Sequence, residues 1–155
     1  MFCVFIYCMY KIKQIPDDFI VKEITNIKLK EEGSYAYFIL KKRNYTTERA
    51  VSTAAKYLET NRKNIGYAGS KDKNAVTEQL ISIKGQIKKQ DIQLKDIELI
   101  YKGKGDERIS LGDLKGNEFI ITVRNLNEKK IKLTSIQIPN YFDEQRFSKN
   151  NAEIG

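Results

Sequence analysis

A carboxylate between two ammonium groups is the feature of this sequence with the clearest chemical potential. Asp72 lies between Lys71 and Lys73 in the segment GYAGSKDKNAVTEQ, residues 66–79. Two glycines precede it and a β-branched segment follows it, which predicts a tight loop between two strands that presents its side chains. An ionised carboxylate there could act as a nucleophile or as a base, and neighbouring lysines would favour its charged form. A solvated surface turn has the same composition, so both interpretations stay open at this point.

The residue types that are absent limit the chemistry. The chain contains no histidine, which excludes imidazole bases, Ser-His-Asp triads and histidine metal sites within it. Its two cysteines, Cys3 and Cys8, have no third or fourth partner, so we predict neither a zinc site nor a disulfide framework. A phosphate-binding P-loop is also excluded, because two residues separate Gly66 from Gly69 where that motif has four.

The charge balance points to a polyanionic partner. The 155 residues are enough for one domain with a hydrophobic core, and they include 28 Lys and Arg against 20 Asp and Glu, a net charge of +8. In a domain of this size, such an excess favours nucleic acid ahead of an acidic membrane surface. A generally lysine-rich proteome would produce the same excess, and composition does not separate the two.

The first ten residues are apolar, but we predict neither a membrane anchor nor a signal peptide. Ten residues cannot span a bilayer, and no basic region or small-residue cleavage site accompanies them. Because Met9 directly precedes the first patterned segment, we interpret residues 1–8 as an upstream extension and residues 9–155 as the domain. With reduced thiols and no membrane partner, the cytoplasm is the expected compartment.

The elements around the Asp72 loop are predicted from local patterns. A threonine cap followed by Glu48 and by apolar residues at helical spacing predicts a helix that starts near Thr47 and ends near residues 60–61. Short strands are expected on both sides of the loop, over residues 65–68 and 80–85.

The remaining segments predict mainly strands. Residues 19–30 and 35–40 are expected to pair as an antiparallel hairpin. Further predictions, in chain order, are a loop or short helix over 86–96, a strand over 97–101, a flexible loop over 102–107, a turn over 111–117 and a strand over 119–123. Many short strands with one firm helix indicate an α+β fold, with a mixed, largely antiparallel sheet.

Near the C-terminus, residues 139–147 combine aromatic, amide and arginine side chains in the segment PNYFDEQRF. Aromatic rings interleaved with Arg and Asn suit stacking on an unpaired base and hydrogen bonding to its edge. The alternative is that the aromatic residues are core anchors and Arg146 is a surface charge.

Four separated motifs together resemble the TruD family of tRNA pseudouridine synthases. Residues 69–79 are similar to the family's GxKDxxAxTxQ motif, and residues 139–147 to its NYFGxQRFG motif. Residues 111–119 resemble its GxxxGNxF element, and residues 13–21 its KxxPxDFxV segment. The motifs occur in the family's order and span the chain from Lys13 to the C-terminus, so the expected fold is the N-terminal part of a pseudouridine synthase catalytic domain.

The resemblance implies a role for particular residues. Asp72 would be the catalytic carboxylate in the isomerisation of uridine to pseudouridine, with uridine 13 of tRNA as the family substrate and with neither metal nor cofactor. Breaking and remaking the base–sugar bond requires such a carboxylate, and aromatic stacking offsets the cost of unstacking the target base. The residues expected to line the pocket or to bind the RNA are Lys13, Lys71, Lys73, Asn140, Phe142 and Arg146.

Departures from the family pattern limit this expectation. Asp143 and Ser148 replace two family glycines, and family members continue well beyond Gly155, so a missing C-terminal half or a second chain would complete the domain. We therefore expect weak or no activity from the chain alone. The alternatives are a non-catalytic or relic RNA-binding fragment and, ranked last, a glycoside hydrolase that would need Glu78 or Asp143 as a second carboxylate.

Overall fold

The computed structural model describes residues 10–85, 87 and 91–126, and these form a seven-stranded sheet with one α-helix packed on it. The elements are β1 (Phe19–Ile24), β2 (Tyr35–Arg43), α1 (Thr47–Tyr57), β3 (Ile65–Tyr67), β4 (Val76–Lys84), β5 (Ile92–Gln93), β6 (Ile97–Gly105) and β7 (Gly116–Ile121). Short 3-10 turns lie at Pro16–Asp18 and Arg62–Asn64. The predicted α+β class with a mixed, largely antiparallel sheet is confirmed.

Strand β4 is at the centre of the sheet, whose order is β5-β6-β2-β4-β1-β7. One edge of β4 pairs along its length with β2, and the other edge pairs first with β1, in parallel, and then with β3. This arrangement agrees with the near-continuous burial of β4, because a central strand is covered on both faces. It also forces the connection between β3 and β4, residues 68–75, to pass the start of β1.

The predicted hairpin between β1 and β2 is wrong, because β4 lies between these two strands. β1 pairs with β4 and, on its other side, with β7 in antiparallel orientation. It also ends at Ile24, well before the predicted boundary at Lys30, which forms an isolated bridge with Lys104. Alternating apolar residues specify which face of a strand is buried, but they do not specify its neighbour.

Helix α1 confirms the predicted helix, with an end three to four residues earlier than expected, at Tyr57. The Thr46 hydroxyl accepts a hydrogen bond from the Arg49 amide at 3.3 Å and so caps the N-terminus. Small and β-branched residues of its buried face pack on the sheet, and the resulting core consists mainly of Ala50, Val51, Ala54, Ala55, Phe38, Leu40, Ile81, Ile83 and Leu99.

Several other boundaries differ from the predictions. Residues 102–105 belong to β6 and pair with β2, so the predicted flexible loop is wrong there. Strand β5 occurs within the segment expected to be a loop or short helix, β4 begins four residues before the predicted start, and β7 begins at Gly116 rather than at Phe119. Charged residues at exposed edge positions are compatible with a strand whose backbone is paired, which local composition alone does not reveal.

Gly66 shows why one glycine beside the Asp72 loop is required. Its φ angle is not positive, so an unusual backbone conformation is not the reason for a glycine at this position. A Cβ atom at this position would collide with the carbonyl oxygen of Ile109, and the glycine therefore permits close approach of two backbone segments.

In the described part of the chain, no helix has the length and apolar character needed to cross a membrane.

Candidate functional site

The loop of residues 68–75 places Asp72 at the surface, beside the N-terminal segment. The Asp72 side chain is 45% exposed, and its Oδ2 atom lies 2.9 Å from Nζ of Lys13. The structure thus brings together two of the residues singled out from sequence, although 59 positions separate them. The Lys13 ammonium donates a charge-assisted hydrogen bond that orients this carboxylate, a group that can act as a nucleophile or a base.

One further contact and an unusual backbone conformation hold Lys13 in this position. Its Nζ atom lies 3.7 Å from the centroid of the Phe19 ring, a distance at which a cation is attracted by the face of an aromatic ring. Its backbone has a φ angle of 53°, in the left-handed region that residues other than glycine seldom adopt. The backbone bend and the aromatic ring together direct the ammonium towards Asp72.

Asp18 fixes the turn that follows Lys13. Its Oδ2 atom accepts hydrogen bonds from the amides of Gln14 and Ile15 at 3.2 and 3.3 Å. Arg124, beyond β7, donates to both carboxylate oxygens at 2.7 and 2.8 Å. These bonds from Arg124, followed by the backbone amides, hold the pKa of Asp18 below its ordinary value. The buried carboxylate therefore ties the Lys13 segment to the β7 edge of the sheet.

Lys71 does not lie beside the Asp72 carboxylate in the structure. Its Nζ atom is 2.7 Å from Oε2 of Glu23 in β1, and the two side chains are 6% and 1% exposed. The ammonium is therefore directed into the protein, where Glu23 neutralises it. Contact of Lys71 with RNA would require this buried pair to break, which is costly for two desolvated charges.

Buried side chains hold the backbone of residues 69–72. Gln79 donates to the Gly69 carbonyl at 2.9 Å, and the Thr47 hydroxyl accepts from the Lys71 amide at 2.9 Å. The same hydroxyl donates to the Gln79 amide oxygen at 3.1 Å, so both side chains are oriented by one another. With the Glu23–Lys71 pair, these contacts fasten the loop to the face of the sheet that carries α1.

Lys42 of β2 completes this set of contacts. Its side chain is buried, and Nζ donates to the carbonyls of Tyr45 at 2.6 Å, Asp72 at 2.8 Å and Lys71 at 3.4 Å. Burial lowers its pKa to about 8. We use the name loop anchor for the four side chains Glu23, Lys42, Thr47 and Gln79.

Sequence reasoning missed the loop anchor, although a signal for part of it exists. Residues 41–43 are all basic, and alternation along β2 places the middle one on the buried face, opposite Thr77 of β4. A run of charges is usually a solvated surface, and the sequence does not reveal which strand packs beside it. The sequence identified Gln79 only as a position in the motif of residues 69–79, and it identified Thr47 only as the start of a helix.

The other predicted site residues are placed as follows. Lys73 is exposed, directly after Asp72. Asn140, Phe142 and Arg146, together with the extension of residues 1–8, lie outside the described residues. Over residues 10–85, 87 and 91–126, no group of three or more acidic, cysteine or histidine side chains is arranged to hold a metal ion.

The structure does not place Glu78 where it could act as the second carboxylate of a glycoside hydrolase. Its Oε1 atom lies 3.8 Å from Nζ of Lys41, and alternation along β4 places it on the face of the sheet opposite to Gln79. The loop anchor, and hence the backbone of Asp72, is held on the Gln79 face. Asp143, the other candidate, lies outside the described residues.

Several known proteins are similar to this chain in sequence or in structure. A protein of Aquifex aeolicus named tRNA pseudouridine synthase D is 41% identical over 150 residues, which cover 88% of this chain and 39% of that protein. The protein of the same name from Sulfurimonas denitrificans is 35% identical over 148 residues, covering 89% and 42%. A crystal structure from Methanosarcina mazei that carries the TruD name superimposes with a TM-score of 0.70 and 45% identity, over 74% of this chain and 27% of that one.

The chain spans about two-fifths or less of the length of these relatives. The family model described as tRNA pseudouridine synthase D (TruD) matches residues 7–154. This match covers nearly all of the 155 residues, and the chain therefore belongs to the TruD family.

Proposed function

We propose that this chain carries the catalytic aspartate of a tRNA pseudouridine synthase and that Asp72 is that residue. The observation that supports the proposal most is the geometry of Asp72. Its carboxylate is half-exposed and therefore reachable by a substrate, it lies 2.9 Å from the Lys13 ammonium, and its backbone is hydrogen-bonded to a buried lysine. A solvated surface turn would not need this buried support.

The reaction is an isomerisation, so it needs no second substrate. The bond between ribose C1′ and uracil N1 breaks, a bond between C1′ and uracil C5 forms, C5 loses a proton and N1 gains one. The Asp72 carboxylate acts next to the sugar and the base, either as a nucleophile or as a base. The Lys13 ammonium donates a hydrogen bond that orients the carboxylate until the substrate arrives.

The substrate is uridine in tRNA, and we propose uridine 13 as its position. A stacked base must leave the RNA helix to reach Asp72, at a cost of a few kcal/mol that stacking on an aromatic ring offsets. Phe142 supplies that ring and Asn140 a hydrogen bond to the base edge. Lys73 and Arg146 contact the RNA backbone, in keeping with the net charge of +8.

The test is pseudouridine formation in unmodified tRNA, mapped by carbodiimide derivatives that stop reverse transcription. The chain and the tRNA are used at equal concentration, because we expect weak turnover from these 155 residues alone. Asp72→Asn should reduce formation by about 100-fold or more while tRNA affinity stays within about twofold. The matched control is Asp106→Asn, since Asp106 is also an exposed carboxylate paired with one lysine. An active Asp72→Asn variant would contradict the proposal.

A non-catalytic RNA-binding fragment is the second candidate, favoured by the net charge of +8. It predicts tRNA binding that weakens with added salt and that is the same for the unchanged chain and for Asp72→Asn. It also predicts that neither the unchanged chain nor Asp72→Asn forms pseudouridine. Detection of Asp72-dependent pseudouridine with the chain alone would exclude this candidate.

A further inference from the structure

Lys42 combines burial with hydrogen bonds to the backbone that carries the proposed catalytic residue. The residue is 2% exposed, yet its ammonium donates to three backbone carbonyls, which equals the number of N–H donors that an ammonium has. Two of these carbonyls, those of Lys71 and Asp72, are consecutive in the loop. Within the described residues, no other hydrogen bond reaches the backbone of Asp72.

We propose that Lys42 is a positioning residue that holds the backbone of Asp72, and through it the Asp72 carboxylate, in the arrangement needed for reaction. This inference rests on the proposed function. Lys42 does not touch the Asp72 carboxylate, because that group is paired with Lys13 on the exposed side of the loop. Lys42 therefore affects the position of the carboxylate and takes no part in the bonds that break or form.

Stability of the fold does not explain a charge at this position. A buried ammonium loses its hydration, and a hydrophobic side chain of similar length would fill the same volume without that loss. The hydrogen bonds of Lys42 compensate part of the loss, but two of the three are directed at the Asp72 loop, the third at the Tyr45 carbonyl between β2 and α1, and none at a strand of the sheet. The charge is better explained by the need to hold the loop that carries the exposed Asp72 carboxylate.

The surroundings of Lys42 make its contacts sensitive to pH. The charged groups beside it are Asp72 and Lys71 on the loop, and Lys71 is neutralised by Glu23 of β1. Its register partners, Thr77 of β4 and Ile97 of β6, are uncharged. Because burial lowers the pKa of Lys42 to about 8, it changes from an ammonium with three donors to an amine with two near that pH.

The first experiment measures how well the loop is held, independently of activity. Trypsin cleaves after Lys71 and Lys73, and cleavage there requires the loop to open locally. In Lys42→Met, the rate of appearance of fragments that end at these residues should rise about tenfold. The matched control is Lys41→Met, which changes the neighbouring lysine on the opposite face of β2 and should leave the rate unchanged.

The second experiment uses the unchanged protein, so it does not depend on the folding of a variant. The cleavage rate of the loop is divided by that of an unstructured peptide of residues 66–79, which corrects for the pH dependence of trypsin. From pH 7 to pH 9 the ratio should rise about threefold or more, because one of the three donors is lost. A constant ratio, or equal cleavage in Lys42→Met and Lys41→Met, would overturn the inference.

Kinetics with tRNA then separate this inference from the proposed function. In Lys42→Met, kcat should fall by about 10- to 100-fold while KM stays within about twofold, because a displaced carboxylate binds the same RNA but reacts poorly. An unchanged kcat would overturn the positioning role even if the loop opens. If the unchanged protein forms no pseudouridine, the proposed function fails for this chain, and the cleavage experiments alone decide whether Lys42 holds the loop.

Discussion

Lys13 and Asp72 form an ion pair of 2.9 Å at the surface, although they are 59 positions apart in the sequence. They meet because β1, which follows the Lys13 segment, pairs in parallel with the first residues of β4, which follows the Asp72 loop. In a parallel pair the two strands start at the same end, so the segments that precede them are neighbours. The topology of the sheet thus assembles the site.

Replacing Lys13 by glutamine should reduce pseudouridine formation without unfolding the protein. The pair is partly exposed and contributes little to stability, but the Lys13 ammonium orients the Asp72 carboxylate and places a positive charge beside it. We expect kcat/KM to fall about tenfold, which corresponds to about 1.4 kcal/mol of transition-state stabilisation. The control is Lys56→Gln, in an exposed lysine of α1. An equal loss in both variants would indicate a general effect of charge on RNA binding.

Breaking the buried Glu23–Lys71 pair should destabilise the protein strongly. Lys71→Met leaves the Glu23 carboxylate, which is 1% exposed, without its cation, and we expect the free energy of unfolding to fall by about 3–5 kcal/mol. Adding Glu23→Leu should recover most of the loss, because the buried charge is then removed as well. Urea unfolding of the unchanged protein, of Lys71→Met and of the double variant measures these free energies.

The control for this pair is the exposed pair between Lys30 and Asp106, whose side chains are 59% and 57% exposed. Asp106→Asn should leave the urea midpoint nearly unchanged, because exposed ion pairs are well hydrated and screened. If Lys71→Met behaved in the same way as Asp106→Asn, the burial of the Glu23–Lys71 pair would have no energetic consequence.

Acid should destabilise the fold through Asp18. Hydrogen bonds from Arg124 lower the pKa of Asp18 below the ordinary value of 3.8, so the folded state binds its proton less readily than the unfolded state. The resulting stability is fully present above pH 4 and is lost as the pH falls through the folded pKa. In Arg124→Met, thermal unfolding between pH 5 and pH 2 should therefore depend less steeply on pH. Equal slopes would show that Arg124 does not produce the effect.

Local patterns allowed much of this chain to be predicted. Helix α1 follows from a threonine cap and apolar residues at helical spacing, and the Asp72 loop follows from the two glycines before it and the β-branched segment after it. Interactions of this kind act between residues that are close in sequence, so the sequence contains them directly. The boundaries that failed, such as residues 102–105 of β6, lie where pairing with another strand decides the conformation.

The sequence by itself singled out Asp72 as the candidate carboxylate, and it determined the helix, most strands and the resemblance to a family. Only the tertiary structure decided that β1 pairs with β4 rather than with β2, that Lys71 turns inward to Glu23, and that Lys42 holds the Asp72 backbone. The physical reason is that alternation along a strand specifies a face but not a neighbour. The partner of a charged side chain depends on that neighbour, and it is therefore decided only when the sheet assembles.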